Sequence, residues 1–118
     1  MDMEADEVKE ESKYSLVLSV IDSGFSETLM AAARSAGARG GTIINARRAG
    51  LEEAVKFFGV TLQEEKELVA IVVHERQKRE LMNAIAQKCG INTTAHGIVI
   101  SMPVEACAGI DFEQSADA

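Results

Sequence analysis

Hydrophobic and polar positions follow two periods along this chain, and the switches between them mark out its elements. Tyr14 to Ile21 (Y-S-L-V-L-S-V-I) alternates in part and is rich in β-formers, which predicts a first strand. Asp22, Ser23 and Gly24 break it. Ser26 is placed to cap the helix that follows, with Phe25 and Met30 spaced as a hydrophobic staple. Leu29, Ala32, Ala33 and Ala36 continue one helical face to a stop at Gly37. Thr42 to Ala46 predicts a second strand, and Lys66 to His74, with the apolar run L-V-A-I-V-V, a third that suits a sheet interior. From Glu75 to Cys89, Leu81, Ala84, Ile85 and Cys89 share a helix face that Gly90 ends. Gly97 to Met102 predicts the last strand, and Pro103 ends it or marks an edge.

The resulting order, β-α-β-β-α-β, is the α+β ferredoxin-like plan: an antiparallel sheet with two helices on one face. Two helices cover one side of such a sheet. The second and third strands do not alternate cleanly with charged residues, so both faces read as sheltered and self-association is expected. The connection from Ala49 to about Glu65 is far longer than the usual 4 to 6 residues or so, a length that marks functional loops. Within it Leu51, Ala54, Val55 and Phe58 have helical spacing before Gly59, and Phe57 and Phe58 are two of the four phenylalanines.

Charge sharpens the domain limits. The 118 residues carry a net −7, but Met1 to Ser12 accounts for −5 and Asp111 to Ala118 for −3, leaving +1 for Lys13 to Ile110. Residues 1–12 and 111–118 therefore read as acidic, disordered tails around a single domain at 13–110. No broad basic face balances them, which argues against nucleic acid as a partner. No window reaches the ~18–20 apolar residues of a membrane span, and the N-terminus lacks the basic start and apolar run of a secretory signal. A cytoplasmic protein without direct membrane insertion is expected.

Candidate chemistry concentrates in Gly37 to Arg48, G-A-R-G-G-T-I-I-N-A-R-R. Gly40 and Gly41 permit close backbone approach, Thr42 offers a hydroxyl, and Arg39, Arg47 and Arg48 could grip an anion; the same residues also suit a turn into a strand. Neither the P-loop pattern nor G-x-G-x-x-G occurs. Nothing pairs a nucleophile with a base at a diagnostic spacing, so no enzymatic reading is made. Cys89 and Cys107 lack zinc-like spacing and read as core or near-core residues. A trimeric metal-binding protein using His74, His96, a cysteine or glutamates is one alternative, and a ligand-free interaction module is another.

Taken together, G-A-R-G-G-T-I-I-N-A-R-R, K-F-F-G-V-T in the long connection, K-E-L-V-A-I-V-V in the third strand and H-G-I-V-I-S-M-P-V near the end make the chain resemble the nitrogen-regulatory P-II signalling family, in its divergent P-II-like branch. The resemblance covers about Tyr14 to Ile110. It implies a homotrimer, small-ligand sites between subunits, and a loop after the second strand that contacts a protein target, a transporter or a metabolic enzyme. Adenine nucleotides, often with 2-oxoglutarate, are the implied ligands. On that footing Gly41, Thr42, Arg47, Arg48, Gly50, Thr94, His96 and Gly97 are candidate ligand-binding residues, and Leu51, Phe57, Phe58 and Thr61 candidate partner-binding residues.

The departures bear on the ligand. Where the family carries G-x-G-K before the last strand, this chain has T-A-H-G, and the family's C-terminal arginines are replaced by V-E-A-C-A-G-I. The effector is thus left unassigned, with adenine nucleotide as the class the family implies. Tyr14 is the only tyrosine, so the long connection offers none for nucleotidylation; Thr61 is its candidate modification site.

Overall fold

The computed structural model describes residues 13–49 and 65–110. The acidic tails lie outside the described residues, as do Gly50, Leu51, Phe57, Phe58 and Thr61. Strands β1 (Tyr14–Asp22), β2 (Thr42–Arg47), β3 (Glu65–His74) and β4 (Ile98–Pro103) alternate with helices α1 (Ser26–Ser35) and α2 (Lys78–Cys89) in the expected order. The strands form one antiparallel sheet in the order β2-β3-β1-β4.

Boundaries moved where local contacts outweigh pattern. Asp22, expected as a breaker, is the last residue of β1 and pairs with Lys66. Ser26 does not cap α1: Phe25 holds the cap position, without a side-chain cap bond. The preceding turn sets that register, through Gly24 at φ 100° and its amide donating to Glu67 Oε1 at 2.7 Å. The apolar pair survives, with Met30 buried and Phe25 packed on the core. At the other end Gly37 adopts φ 97° and donates to Arg34 O, while the Ala38 amide reaches Ala33 O, a Schellman stop. A 3₁₀ turn, Glu75–Gln77, precedes α2, because the His74 ring accepts the Arg76 amide at 3.2 Å and tightens the first turn.

Gly90 and Gly97 are glycines for want of room. A Cβ on Gly90 would lie 2.4 Å from Ala86 O, and one on Gly97 only 2.0 Å from Cys89 O. The loop between them therefore lies flat against the last turn of α2. Pro103 is the final residue of β4, an edge strand, which satisfies both readings of it.

The two faces of the sheet differ. Val17 and Ile21 of β1 with Val69, Ile71 and Val73 of β3 point under the helices and join Leu29, Ala33, Leu81, Ile85 and Cys89 in the core. Each of the large aliphatic side chains there contributes ~1.5–3 kcal/mol by leaving water. By strand alternation the opposite face carries Leu16, Leu18, Val20, Leu68, Val72, Ile44, Ile98, Ile100 and Met102. That face is apolar yet uncovered: Ile98 is 57% exposed, and Ile44, Ile100 and Met102 are exposed too. Shelter on both faces is not found within one chain. Strand β2 is exposed except at half-buried Ala46, since α2 lies over β1 and β4 and α1 packs on α2.

Candidate functional site

Register brings three polar side chains to one end of the sheet. Asp22 at the end of β1 faces Lys66 near the start of β3, and their carboxylate and ammonium are bonded directly, both groups buried. The loop before β4 adds His96, whose Nδ1 lies 2.9 Å from Asp22 Oδ2. Asp22 is also anchored through its backbone, its amide donating to Ala95 O at 2.9 Å. A charge taken out of water is tolerated only when paired, and here one carboxylate engages two partners. Burial by itself raises the Asp22 carboxyl, but the hydrogen bonds and charges of Lys66 and His96 outweigh it and hold the group below the ordinary carboxylate value.

The loop that presents His96 is built by Thr93. Its hydroxyl donates to Gly90 O at 2.7 Å and accepts from the Ala95 amide at 3.2 Å, and its carbonyl accepts from the His96 amide. His96 then sits at φ 49°, in the left-handed region, with its ring 58% exposed. Thr94, the sequence candidate, is exposed and stands beside the residue that shapes the loop. The side chain–backbone turn of Thr93 is a local motif that a T-T pair leaves ambiguous between its two members.

Next to this cluster an open cleft of about 600 Å³ is lined by Ser23, Asn45, Ala46, Arg47, Glu65 and Lys66. Arg47 is the last residue of β2 and pairs with Glu65, and Arg48 follows it on the surface. Thr42 opens the same strand, roughly 17 Å from Arg47 at strand spacing. The candidates Gly41 and Thr42 are therefore separated from Arg47 and His96 within one chain. Gly41 also has a packing reason to be glycine, since a Cβ there would lie 3.0 Å from Ile71 and 3.3 Å from Met30 Sδ. Gly40 has open space around it. Gly97 holds the loop against α2, as described above.

The remaining titratable groups lie elsewhere. His74 closes the far end of β3, roughly 26 Å along the strand from Lys66, so it and His96 do not converge on one ion. No cluster of three or more His, Cys, Asp or Glu suited to a metal occurs among the described residues. Cys89 is fully buried beside an apolar recess of about 210 Å³ between α2 and β4, and burial pushes its thiol up, which suits packing rather than nucleophilic chemistry. Among the described residues no helix is long and apolar enough to cross a membrane.

Sequence reasoning missed Asp22 and Lys66 because their partnership spans 44 positions and exists only through strand register. A lysine that opens an apolar strand looks like an ordinary solvated end.

By sequence, the chain matches no known protein family and no curated protein. Among solved structures it is similar to the crystal structure of Arabidopsis thaliana PII bound to citrate, with a TM-score of 0.59 and 21% identity. That likeness covers 80% of this chain and 78% of the plant protein. The chain thus has the ferredoxin-like fold of a PII protein.

Proposed function

We propose that the protein is a non-enzymatic P-II-like signal-transduction regulator. It assembles as a homotrimer, takes a small effector in clefts at the subunit boundaries, and acts on a protein target through the 49–65 connection. Nitrogen or related metabolism is the field of action that the resemblance implies, and adenine nucleotides are its implied effector class. Arg47, Arg48, His96 and Thr42 are the ligand-binding residues of this reading, Thr42 being contributed across the boundary. The connection's Leu51, Phe57, Phe58 and Thr61 are the partner-facing ones.

One observation carries the proposal: both ends of the long connection stand at the cleft, Arg47 and Glu65 being register partners and both lining it. A ligand there touches the two hinges of the connection at once. If it binds one arrangement of the connection more tightly than another, that difference in affinity shifts the population, and the target reads the shift. The uncovered apolar face supports assembly, because an exposed apolar patch of this kind is what a closed oligomer buries. The similar plant PII structure holds citrate, a small anion.

Two measurements test the reading. Sedimentation at micromolar concentration is expected to give three times the chain mass, and a monomer would sink the trimer. Calorimetry against ATP, ADP, AMP, cyclic nucleotides and bicarbonate is expected to show at least one saturable interaction that weakens in Arg47→Ala/Arg48→Ala. Silence across that panel would reduce the proposal to partner binding alone.

A further inference from the structure

We propose that Asp22 is a built-in counter-ion that sets the ligand class of the cleft, admitting effectors of low net charge and excluding polyphosphates. This rests on reading the cleft as the effector site. The buried cation that lines it, Lys66, is already bonded to the Asp22 carboxylate. A ligand anion seeking that ammonium must displace a carboxylate held in a paired strand and tied by its own amide to Ala95 O. An intramolecular competitor fixed in place acts at an effective concentration that a dilute ligand does not match.

The local balance points the same way. Three carboxylates gather at this end of the sheet: Asp22, Glu65 on the cleft wall, and Glu67, which accepts the Gly24 amide. Against them stand Lys66, Arg47 and the adjacent Arg48, with His96 bonded to Asp22. A triphosphate would enter a site with no net positive charge to receive it, and its several negative charges would each meet repulsion from the carboxylates. A ligand with one negative charge can use the Arg47 guanidinium without meeting that opposition.

Inorganic tripolyphosphate and orthophosphate, titrated into the full-length protein at fixed ionic strength, test the idea. The unmodified chain is expected to bind tripolyphosphate no more tightly than orthophosphate. Asp22→Asn frees the Lys66 charge and should strengthen tripolyphosphate binding by about tenfold or more, and adding Lys66→Met should abolish the gain. Tight tripolyphosphate binding by the unmodified chain, or a folded Asp22→Asn with no gain, overturns the proposal.

Should Asp22→Asn fail to fold, Glu65→Gln provides a second route, because Glu65 is exposed and its change breaks no buried pair. It should give a gain of roughly threefold with an unchanged circular dichroism spectrum, and no gain overturns the proposal as well. These outcomes are separable from the broader reading: an effector panel that binds while neither variant gains affinity removes the counter-ion and leaves the regulator.

Discussion

The central strand pair β1–β3 ends in a different chemistry at each extremity. At one end Asp22 and Lys66 face each other with His96 alongside. At the other, Tyr14 faces His74, the two rings meeting edge to face at a centroid distance of 5.9 Å. Both ends contain a histidine, yet the roles diverge. His74 has its Nδ1 committed to the Arg76 amide and its ring to Tyr14, so it seals the start of the α2 segment. His96 is tied to a charged group and leaves most of its ring to solvent. A histidine whose ring is absorbed by packing is a structural part; one that touches a buried ion pair and water at once can exchange with a ligand.

The contrast is most directly broken by Lys66→Met, which strands a buried carboxylate. A loss of ~3–5 kcal/mol in urea unfolding is expected, with most of it restored in Asp22→Asn/Lys66→Met. A cost no larger than that of changes at the aromatic end would erase the distinction. Acid sharpens it further. Because the folded Asp22 carboxyl lies below its ordinary value, its contribution is complete above about pH 3.9 and is lost as pH falls through the lower folded value. The stability difference between the unmodified chain and Asp22→Asn should therefore shrink below that pH and vanish once the native carboxyl is protonated.

His74→Ala should cost about 1–2 kcal/mol, the sum of an edge-to-face contact and a capping bond, and should leave ligand binding untouched. Midway along β1, Ser19 is fully buried with no hydrogen-bond partner for its hydroxyl among the described residues. Ser19→Ala should stabilise the protein by up to about 1 kcal/mol, measured as a raised denaturation midpoint. Smallest of all, Arg47→Ala should alter stability by no more than about 0.5 kcal/mol while weakening effector binding, since this exposed side chain serves the cleft and not the fold.

The sequence pattern revealed the parts of the fold that depend on near neighbours. Strand and helix order followed from periodicity, and Gly37 and Pro103 declared an end and an edge through backbone constraints that act locally. Ser26 misled because the turn before it is set by Glu67, 43 positions from the Gly24 amide it accepts. The cleft and the cluster beside it were half legible: Arg47 and His96 were marked by charge and by resemblance. The groups that define its electrostatics, Asp22 and Lys66, looked like a breaker and a strand start. Their meaning comes from register, and no short window of sequence contains it. Gly41 was legible as special, but its packing against Ile71 and Met30 was not, since close packing and anion cradling both call for a missing side chain.

Gly97 has a mechanical corollary. With no space for even a methyl group between it and the carbonyl of Cys89, the backbone carrying His96 cannot move closer to the helix behind it, and the Thr93–Gly90 and Asp22–Ala95 hydrogen bonds tether it against moving away. The reach of the imidazole to Asp22 is then adjustable through its own side-chain torsions or through displacement of the strand end, and hardly through the loop. What resembles a surface turn is a rigid bracket, in which the ring is the one element left free to swing.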